Sequence, residues 1–151
     1  MRVWRISRSV YPVLDGEGAR RWGGRWNSAG TAVVYAAESR ALAMLESRVG
    51  VRLPEQVPDD LALFEIDVPD ECAREALALE ALPPDWHRIG NPWCRKVGDE
   101  WAESLRTLVL AVPSVLVPEE HNYLLNPRHP DARQIRVMRS RPFEFDPRLL
   151  H

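Results

Sequence analysis

Thirteen prolines, spread along the 151 residues rather than clustered, limit how long any element of this chain can be. Proline fixes φ and has no amide hydrogen, so it ends helices and is excluded from central strands. The prolines separate short apolar segments from one another. The chain therefore predicts many short elements with defined ends.

The apolar segments predict an α+β fold with mixed or antiparallel short-stranded sheets and a few short helices. Alternation predicts a strand at Met1–Ile6, and Thr31–Ala37 is apolar on both faces, as in a buried strand. Ser39 is placed to cap a helix over residues 40–49. The chain has no regular alternation of strand and helix, so we expect no doubly wound sheet. Its length fits one domain over residues 1–151. The other predicted strands are Leu61–Val68, Thr107–Val112, Val115–Val117, Arg133–Met138 and Pro142–Asp146, and the other predicted helices are Glu71–Leu79 and residues 100–105 with Asp99 as cap.

Charge and cysteine content exclude several classes of protein. The net charge is −2, and the basic residues lie mainly at the two ends, whereas residues 53–105 carry thirteen acids against four basic groups. This distribution argues against general coating of nucleic acid, which needs many phosphate contacts. Two isolated cysteines and four scattered histidines show no metal-ligand spacing, so we expect no metal. No signal peptide or membrane span is indicated, and we expect a cytoplasmic protein.

A glycine-rich segment contains the first candidate site. Residues 15–30 hold five of the eight glycines, which predicts a loop or tight hairpin. Within it, Gly23 and Gly24 precede Arg25 and Trp26, a side-chain pair suited to clamping an anion and stacking on a flat ring. The alternative is an ordinary glycine hairpin with a solvated arginine and a core tryptophan.

Glu46 is the second candidate. Leu42, Leu45 and Val49 form the predicted inward stripe of the 40–49 helix, and Glu46 lies about 40° from Leu42 on the helical wheel. A carboxylate there either faces a cleft or extends from the rim of the core into water.

Tyr35 and Ser114 interrupt apolar strands. Tyr35 is either a core tyrosine or a site residue. Ser114 either donates a hydrogen bond to a ligand or marks a strand bend. A nucleophilic role for Ser114 is weakly supported, because the GxSxG elbow is absent.

Seven short motifs occur in an order that resembles the RES domain, named for its Arg, Glu and Ser. Together they extend over nearly the whole chain, although residues 50–97 contribute little. The motifs are Trp4-Arg5-Ile6, GGRWN (23–27), VVYAAES (33–39), ALAMLE (41–46), GDEW (98–101), VPSVLVPEEHNYLLNP (112–127) and FEFDPRL (143–149).

The resemblance implies a toxin of a bacterial toxin–antitoxin module, with a fold similar to ADP-ribosyltransferase toxins. It implies NAD+ as substrate, no further cofactor, and an Xre-type helix-turn-helix antitoxin as partner. The implied role of Glu46 is to bind the ribose and its developing positive charge. The implied catalytic positions are Arg25, Tyr35, Glu46 and Ser114, and the implied substrate-binding positions are Arg5, Trp26, Asn27 and Asn122.

Several alternatives stay open. The ADP-ribose acceptor is water, inorganic phosphate or a protein side chain, and the chain is either a monomer or a homodimer within the complex. An RNA-cleaving toxin would need a basic groove, aromatic platforms and an acid–base pair, which this composition disfavours. A binding module without activity is the third class.

Overall fold

The computed structural model describes all 151 residues, which form one seven-stranded mixed sheet with three α-helices. The strand order is β4-β5-β6-β2-β1-β3-β7, and every neighbouring pair is antiparallel except β4 and β5. This confirms the α+β prediction. The helices are α1 (Glu17–Trp22), α2 (Arg40–Val49) and α3 (Pro92–Ser104). The strands are β1 (Arg2–Arg8), β2 (Val34–Ala37), β3 (Leu61–Asp67), β4 (Arg74–Ala76), β5 (Val109–Pro113), β6 (His121–Leu125) and β7 (Arg136–Pro142).

Both faces of the sheet are buried near its centre. Helices α2 and α3 pack on the side that we call the helix face, where Leu42 of α2 and Trp101 of α3 are buried. The opposite face has its own apolar cluster, which includes Val3, Val34 and Ile66. Strand β2 is central and both of its faces are covered, which explains why residues 31–37 contain no charged side chain. None of the helices combines the length and the apolar composition needed to cross a bilayer.

Helix α2 begins and ends where the sequence predicts, but it is rotated about its axis. Ser39 accepts a hydrogen bond from the Leu42 amide at 3.0 Å and caps the helix. The predicted inward stripe is wrong, because Leu45 and Val49 are 39% and 62% exposed. Of the predicted stripe only Leu42 is buried, and Ala43 is buried beside it. Glu46 lies four and three residues after them, so it shares their side of the helix.

Two helix predictions in the middle of the chain are wrong. Residues 74–76, predicted as part of a helix over 71–79, form edge strand β4, because backbone pairing with β5 satisfies their amides and carbonyls. Helix α3 begins at Pro92, and the side chain of Asn91 accepts from the Cys94 amide at 3.1 Å. Asp99 therefore lies inside α3, where its carboxylate accepts from the Ser28 amide at 2.8 Å.

The glycine-rich loop and the C-terminal strands also differ from prediction. Residues 15–30 contain α1, followed by a tight turn in which Gly24 pairs with Asn27. Residues 115–117 form a bend instead of a strand, and β6, which was not predicted, follows it. One continuous strand, β7, replaces the two strands predicted at 133–138 and 142–146, because pairing with β3 continues across a bulge.

Candidate functional site

Three side chains distant in sequence meet beside α2. The Ser114 hydroxyl, just after β5, donates to Glu46 Oε1 at 2.8 Å. The Asn122 Nδ2, on β6, donates to the same oxygen at 2.7 Å. The second carboxylate oxygen, Oε2, accepts no hydrogen bond from the protein. Glu46 is thus held by one oxygen while the other remains available.

The direction of the Ser114 hydroxyl is fixed by its surroundings. Ser114 has no exposed surface, and its oxygen accepts from the amides of Leu116 and Val117 at 3.1 and 3.2 Å. With its lone pairs occupied, the hydroxyl hydrogen is directed at Glu46. Ser114 therefore orients the Glu46 carboxylate and also lies at the bend after β5. The bend was one of the two interpretations from sequence, and in the structure the hydroxyl donates to Glu46.

A second group of side chains forms the turn that carries Arg25. The Tyr35 hydroxyl accepts from the Trp26 amide at 3.0 Å and donates to Asn27 Oδ1 at 2.6 Å. A Cβ on Gly24 would lie 2.7 Å from that hydroxyl, so only glycine fits there. Burial raises the pKa of Tyr35 well above its usual value, so the phenol stays protonated and remains a donor.

The Arg25 side chain connects this turn to the loop before α3. Its Nη1 donates to the carbonyls of Trp86 and Arg88 at 3.0 and 3.2 Å. Its Nε and Nη2 form no hydrogen bond with the protein. Arg25 is half-buried, so it presents two free donors from a fixed position.

Trp26 and Asn27 lie inside the core beneath the turn. The Trp26 ring is centred 6.5 Å from Trp86 and 6.4 Å from Trp93. Asn27 is fully buried and donates to three backbone carbonyls, those of Ala19, Ser28 and Thr31. A Cβ on Gly98 of α3 would lie only 1.6 Å from the Trp26 carbonyl oxygen, which shows how closely α3 packs on the turn.

Arg5 lies apart from the Glu46 cluster. It is paired in register with Phe64, and both side chains are on the face opposite α2. Strands β1 and β2 pair only at Trp4 and Ala37, and beyond that point Arg5 Nη1 donates to the Tyr35 carbonyl at 2.8 Å. Arg5 Nε is buried without a partner, and burial lowers the pKa of Arg5.

The two groups of side chains flank one strip of the helix face. Tyr35 of β2 pairs with Leu124 of β6, and Asn122 lies two residues further along β6, about 7 Å away along the strand. The Glu46 cluster and the turn that carries Arg25 are therefore neighbours on the helix face. No cluster of three or more His, Cys, Asp or Glu side chains is present that would hold a metal ion.

Two surface cavities lie elsewhere. One, of about 380 Å³, borders α3 and Ser28, and another, of about 190 Å³, borders Trp4 and β7. Neither is lined by Glu46 or Arg25. The candidate site is assigned from its side chains instead, because two side chains donate to one oxygen of the Glu46 carboxylate.

Sequence reasoning missed the partners of Arg25 because they are backbone carbonyls of a loop, which leave no signal in residue type. It also missed Glu38, whose carboxylate accepts from the His121 amide at 2.7 Å and fixes the start of β6 beside Asn122. The acidic residue next to the Ser39 cap was the only available signal.

Comparison with known proteins gives a consistent result. The family model described as "RES domain" matches residues 2–146. The "Prs ADP-ribosylating toxin" of Sphingobium sp. (strain YBL2) is 44% identical, with 97% of this chain and 95% of that protein covered. A "Toxin Res" of Pseudomonas putida is 40% identical, with 91% of this chain and 92% of that protein covered. In the crystal structure of the M. tuberculosis MbcT–MbcA toxin–antitoxin complex, one chain has the same fold, with a TM-score of 0.74 and 24% identity over 94% of this chain and 83% of that one.

Proposed function

The chain belongs to the RES domain family, whose relatives above are toxins, and on that premise we propose that it cleaves NAD+ between nicotinamide and ribose. The observation that carries the proposal is the state of Glu46. Ser114 and Asn122 both bind Oε1, and Oε2 is left without a partner, in a cluster that neighbours the turn carrying Arg25. A fixed carboxylate with one free oxygen suits a reaction in which positive charge develops on a sugar.

Cleavage of the nicotinamide–ribose bond requires the protein to hold NAD+ in position and to supply negative charge beside the ribose. Nicotinamide leaves as a neutral ring when it takes the electron pair of the bond to ribose, so no general acid is required. The ribose passes through an oxocarbenium-like state, as in glycoside cleavage. Glu46 Oε2 would bind the ribose and stabilise that cation, because preorganised charge is most effective where charge develops. Ser114 and Asn122 prevent the carboxylate from rotating away.

Arg25 would bind the anionic part of the reaction. Its free Nε and Nη2 form a donor pair that matches two oxygens of a phosphate group. This group is either the NAD+ pyrophosphate or an attacking phosphate. Because the Tyr35 hydroxyl already has two partners, only the ring of Tyr35 is free to stack on nicotinamide.

The acceptor of ADP-ribose separates three activities. Water makes the protein a glycohydrolase, inorganic phosphate makes it a phosphorylase, and a protein side chain makes it an ADP-ribosyltransferase. The name of the Sphingobium relative favours the third as the alternative to free NAD+ cleavage. Incubation with NAD+, with and without phosphate and with a cell lysate, followed by mass spectrometry, identifies the product as ADP-ribose, its phosphate, or a modified protein.

We further propose an antitoxin partner of the Xre helix-turn-helix type. The MbcT–MbcA structure is a toxin–antitoxin complex, which supports a partner of that role for a chain of the same fold. Co-expression of this chain with an Xre-type antitoxin candidate should yield a complex on size-exclusion chromatography. That complex should consume NAD+ more slowly than the chain alone.

The decisive experiment is the measurement of cellular NAD+ after induction of the chain without a partner. We expect NAD+ to fall before growth stops, and a Glu46→Ala variant to leave both unchanged. Intact NAD+ together with fragmented total RNA would instead establish the RNA-cleaving alternative. A cellular NAD+ pool that hardly falls, together with ADP-ribosylated protein and released nicotinamide, would leave the site assignment in place and identify a protein side chain as the acceptor.

A further inference from the structure

Strand β7 forms an open edge of the sheet. It is last in the strand order, all seven of its residues are exposed, and its outer side pairs with no strand of this chain. An unpaired edge presents a row of amide and carbonyl groups to any chain that can lie beside it. What can bind there depends on the side chains that border the edge.

Two arginines of β7 point to the same side as α2. Arg139 pairs in register with Glu65, and Arg141 pairs with Leu63. Residues 65 and 63 lie opposite Trp4 and Ile6 of β1, which pack against α2, so both arginines are on the helix face. Because Arg139 and Arg141 are alternate residues, their guanidinium groups are spaced like alternate side chains of a neighbouring strand.

Positive charge exceeds negative charge around these residues. Glu65 is shared by Arg40, Arg2 and Arg139, at 3.0, 3.2 and 3.9 Å. Arg139 is 85% exposed and holds Glu65 only at the limit of an ion pair, and Arg141 has no acidic partner. Arg2 also contacts Asp67, at 3.2 Å. Two carboxylates thus serve three guanidinium groups, and a fourth, that of Arg141, has no acidic partner.

A cavity of about 190 Å³ lies between these arginines and α2, with room for about six water molecules. Arg40, Arg139 and Arg141 line it, together with Trp4 beneath Arg40. The indole N–H of Trp4 is buried and has no acceptor in the protein. The cavity therefore presents three guanidinium groups, with Glu65 as its only acidic side chain.

We propose that the outer edge of β7 binds an extended acidic segment of a partner protein, added to the sheet as an eighth strand. Such a strand would satisfy the outer backbone groups of β7, and its alternate carboxylates would lie beside Arg139 and Arg141. The same two arginines repel a basic strand, which gives the edge its selectivity. Nucleic acid fits less well, because the Trp4 ring is covered by Arg40 and cannot stack on a base.

This surface is distinct from Glu46 and Arg25, and the proposal goes beyond NAD+ cleavage without depending on it. The probe is a fluorescein-labelled peptide as long as β7 that alternates Thr and Glu, with a Thr–Lys peptide of equal length as control. Fluorescence anisotropy with the full chain should show binding of the acidic peptide only. The affinity should fall as salt is added, since exposed charges are screened.

Charge reversal locates the binding site. The Arg139→Glu/Arg141→Glu variant should bind the acidic peptide at least about tenfold more weakly, because like charges then face one another. The Arg21→Glu/Arg128→Glu variant changes the net charge equally, on α1 and after β6, and should bind as the unmodified chain does. Circular dichroism and melting temperatures establish that both variants remain folded.

Hydrogen exchange tests whether the peptide adds as a strand. Amides of β7 should exchange more slowly when the acidic peptide is bound, while those of β4 at the other edge should not change. Equal binding of the Thr–Lys peptide would overturn the proposal. So would unchanged affinity of the Arg139→Glu/Arg141→Glu variant, or protection that appears away from β7.

Discussion

Replacing Tyr35 by phenylalanine removes one oxygen from the centre of the Arg25 turn. That oxygen accepts from the Trp26 amide and donates to Asn27 Oδ1, and both residues are buried. The variant leaves a buried donor and a buried acceptor without partners, at a cost of about 1–3 kcal/mol each. The two groups belong to one turn and relax together, so we expect a total loss of about 2–4 kcal/mol in the free energy of unfolding.

Urea denaturation followed by tryptophan fluorescence measures this loss. With a slope of about 2 kcal/mol per molar urea, the midpoint should fall by roughly 1–2 M. NAD+ cleavage should also fall, because Arg25 is carried by the loosened turn. The KM for NAD+ should rise by at least the factor by which kcat falls, since Arg25 is assigned to binding a phosphate group.

Tyr11→Phe is the matched control. Tyr11 is 63% exposed and its hydroxyl has no hydrogen-bond partner, so the free energy of unfolding should change by less than about 0.5 kcal/mol. If Tyr35→Phe unfolds at the same urea concentration as Tyr11→Phe, the hydroxyl does not hold the turn. The account of how Arg25 is positioned would then be wrong.

Four other perturbations have expected outcomes. Glu46→Ala should abolish NAD+ consumption with an unchanged circular dichroism spectrum, and a fully active variant would refute the assignment. Ser114→Ala removes the acceptor of the Leu116 and Val117 amides and a donor to Glu46 Oε1, and should lower the melting temperature and kcat together, by about 1–3 kcal/mol in stability. Gly98→Ala places a methyl group 1.6 Å from the Trp26 carbonyl oxygen and should prevent expression of folded protein, whereas Gly18→Ala, where nothing lies within 4 Å, should not. Because the pKa of Tyr35 is raised in the folded state, its contribution to stability is present below pH 10 and decreases as the pH rises above it, so the alkaline loss of stability should be smaller in Tyr35→Phe.

Local signals in the sequence predicted local structure well. Ser39 and the residues after it place α2 correctly because a cap and a helix depend on neighbours in the chain. Edge strand β4 was predicted as a helix because its stability comes from pairing with β5, more than thirty residues later. A strand that owes its existence to a distant partner carries little signal of its own.

The candidate site also combines a correct prediction with an incorrect one. Motif order identified Glu46, Ser114 and Asn122, and the structure brings these three together. The helical wheel gave the wrong inward stripe for α2, since exposed apolar residues at Leu45 and Val49 cannot be distinguished from buried ones by spacing.

The seam between β1 and β2 carries a single backbone bridge, at Trp4 and Ala37. The candidate site residues lie on one side of this seam, on or beside β2, β5, β6 and α2, and the open edge of β7 lies on the other side, beyond β1 and β3. Apart from the Trp4–Ala37 bridge, the polar contacts across this seam include Arg5 on the Tyr35 carbonyl and Arg40 on Glu65. Apolar packing also crosses the seam, because Trp4 and Ile6 of β1 pack beside Leu42 of α2, and Val3 and Val34 share one cluster. The sheet is therefore held together between β1 and β2 by side chains more than by backbone hydrogen bonds.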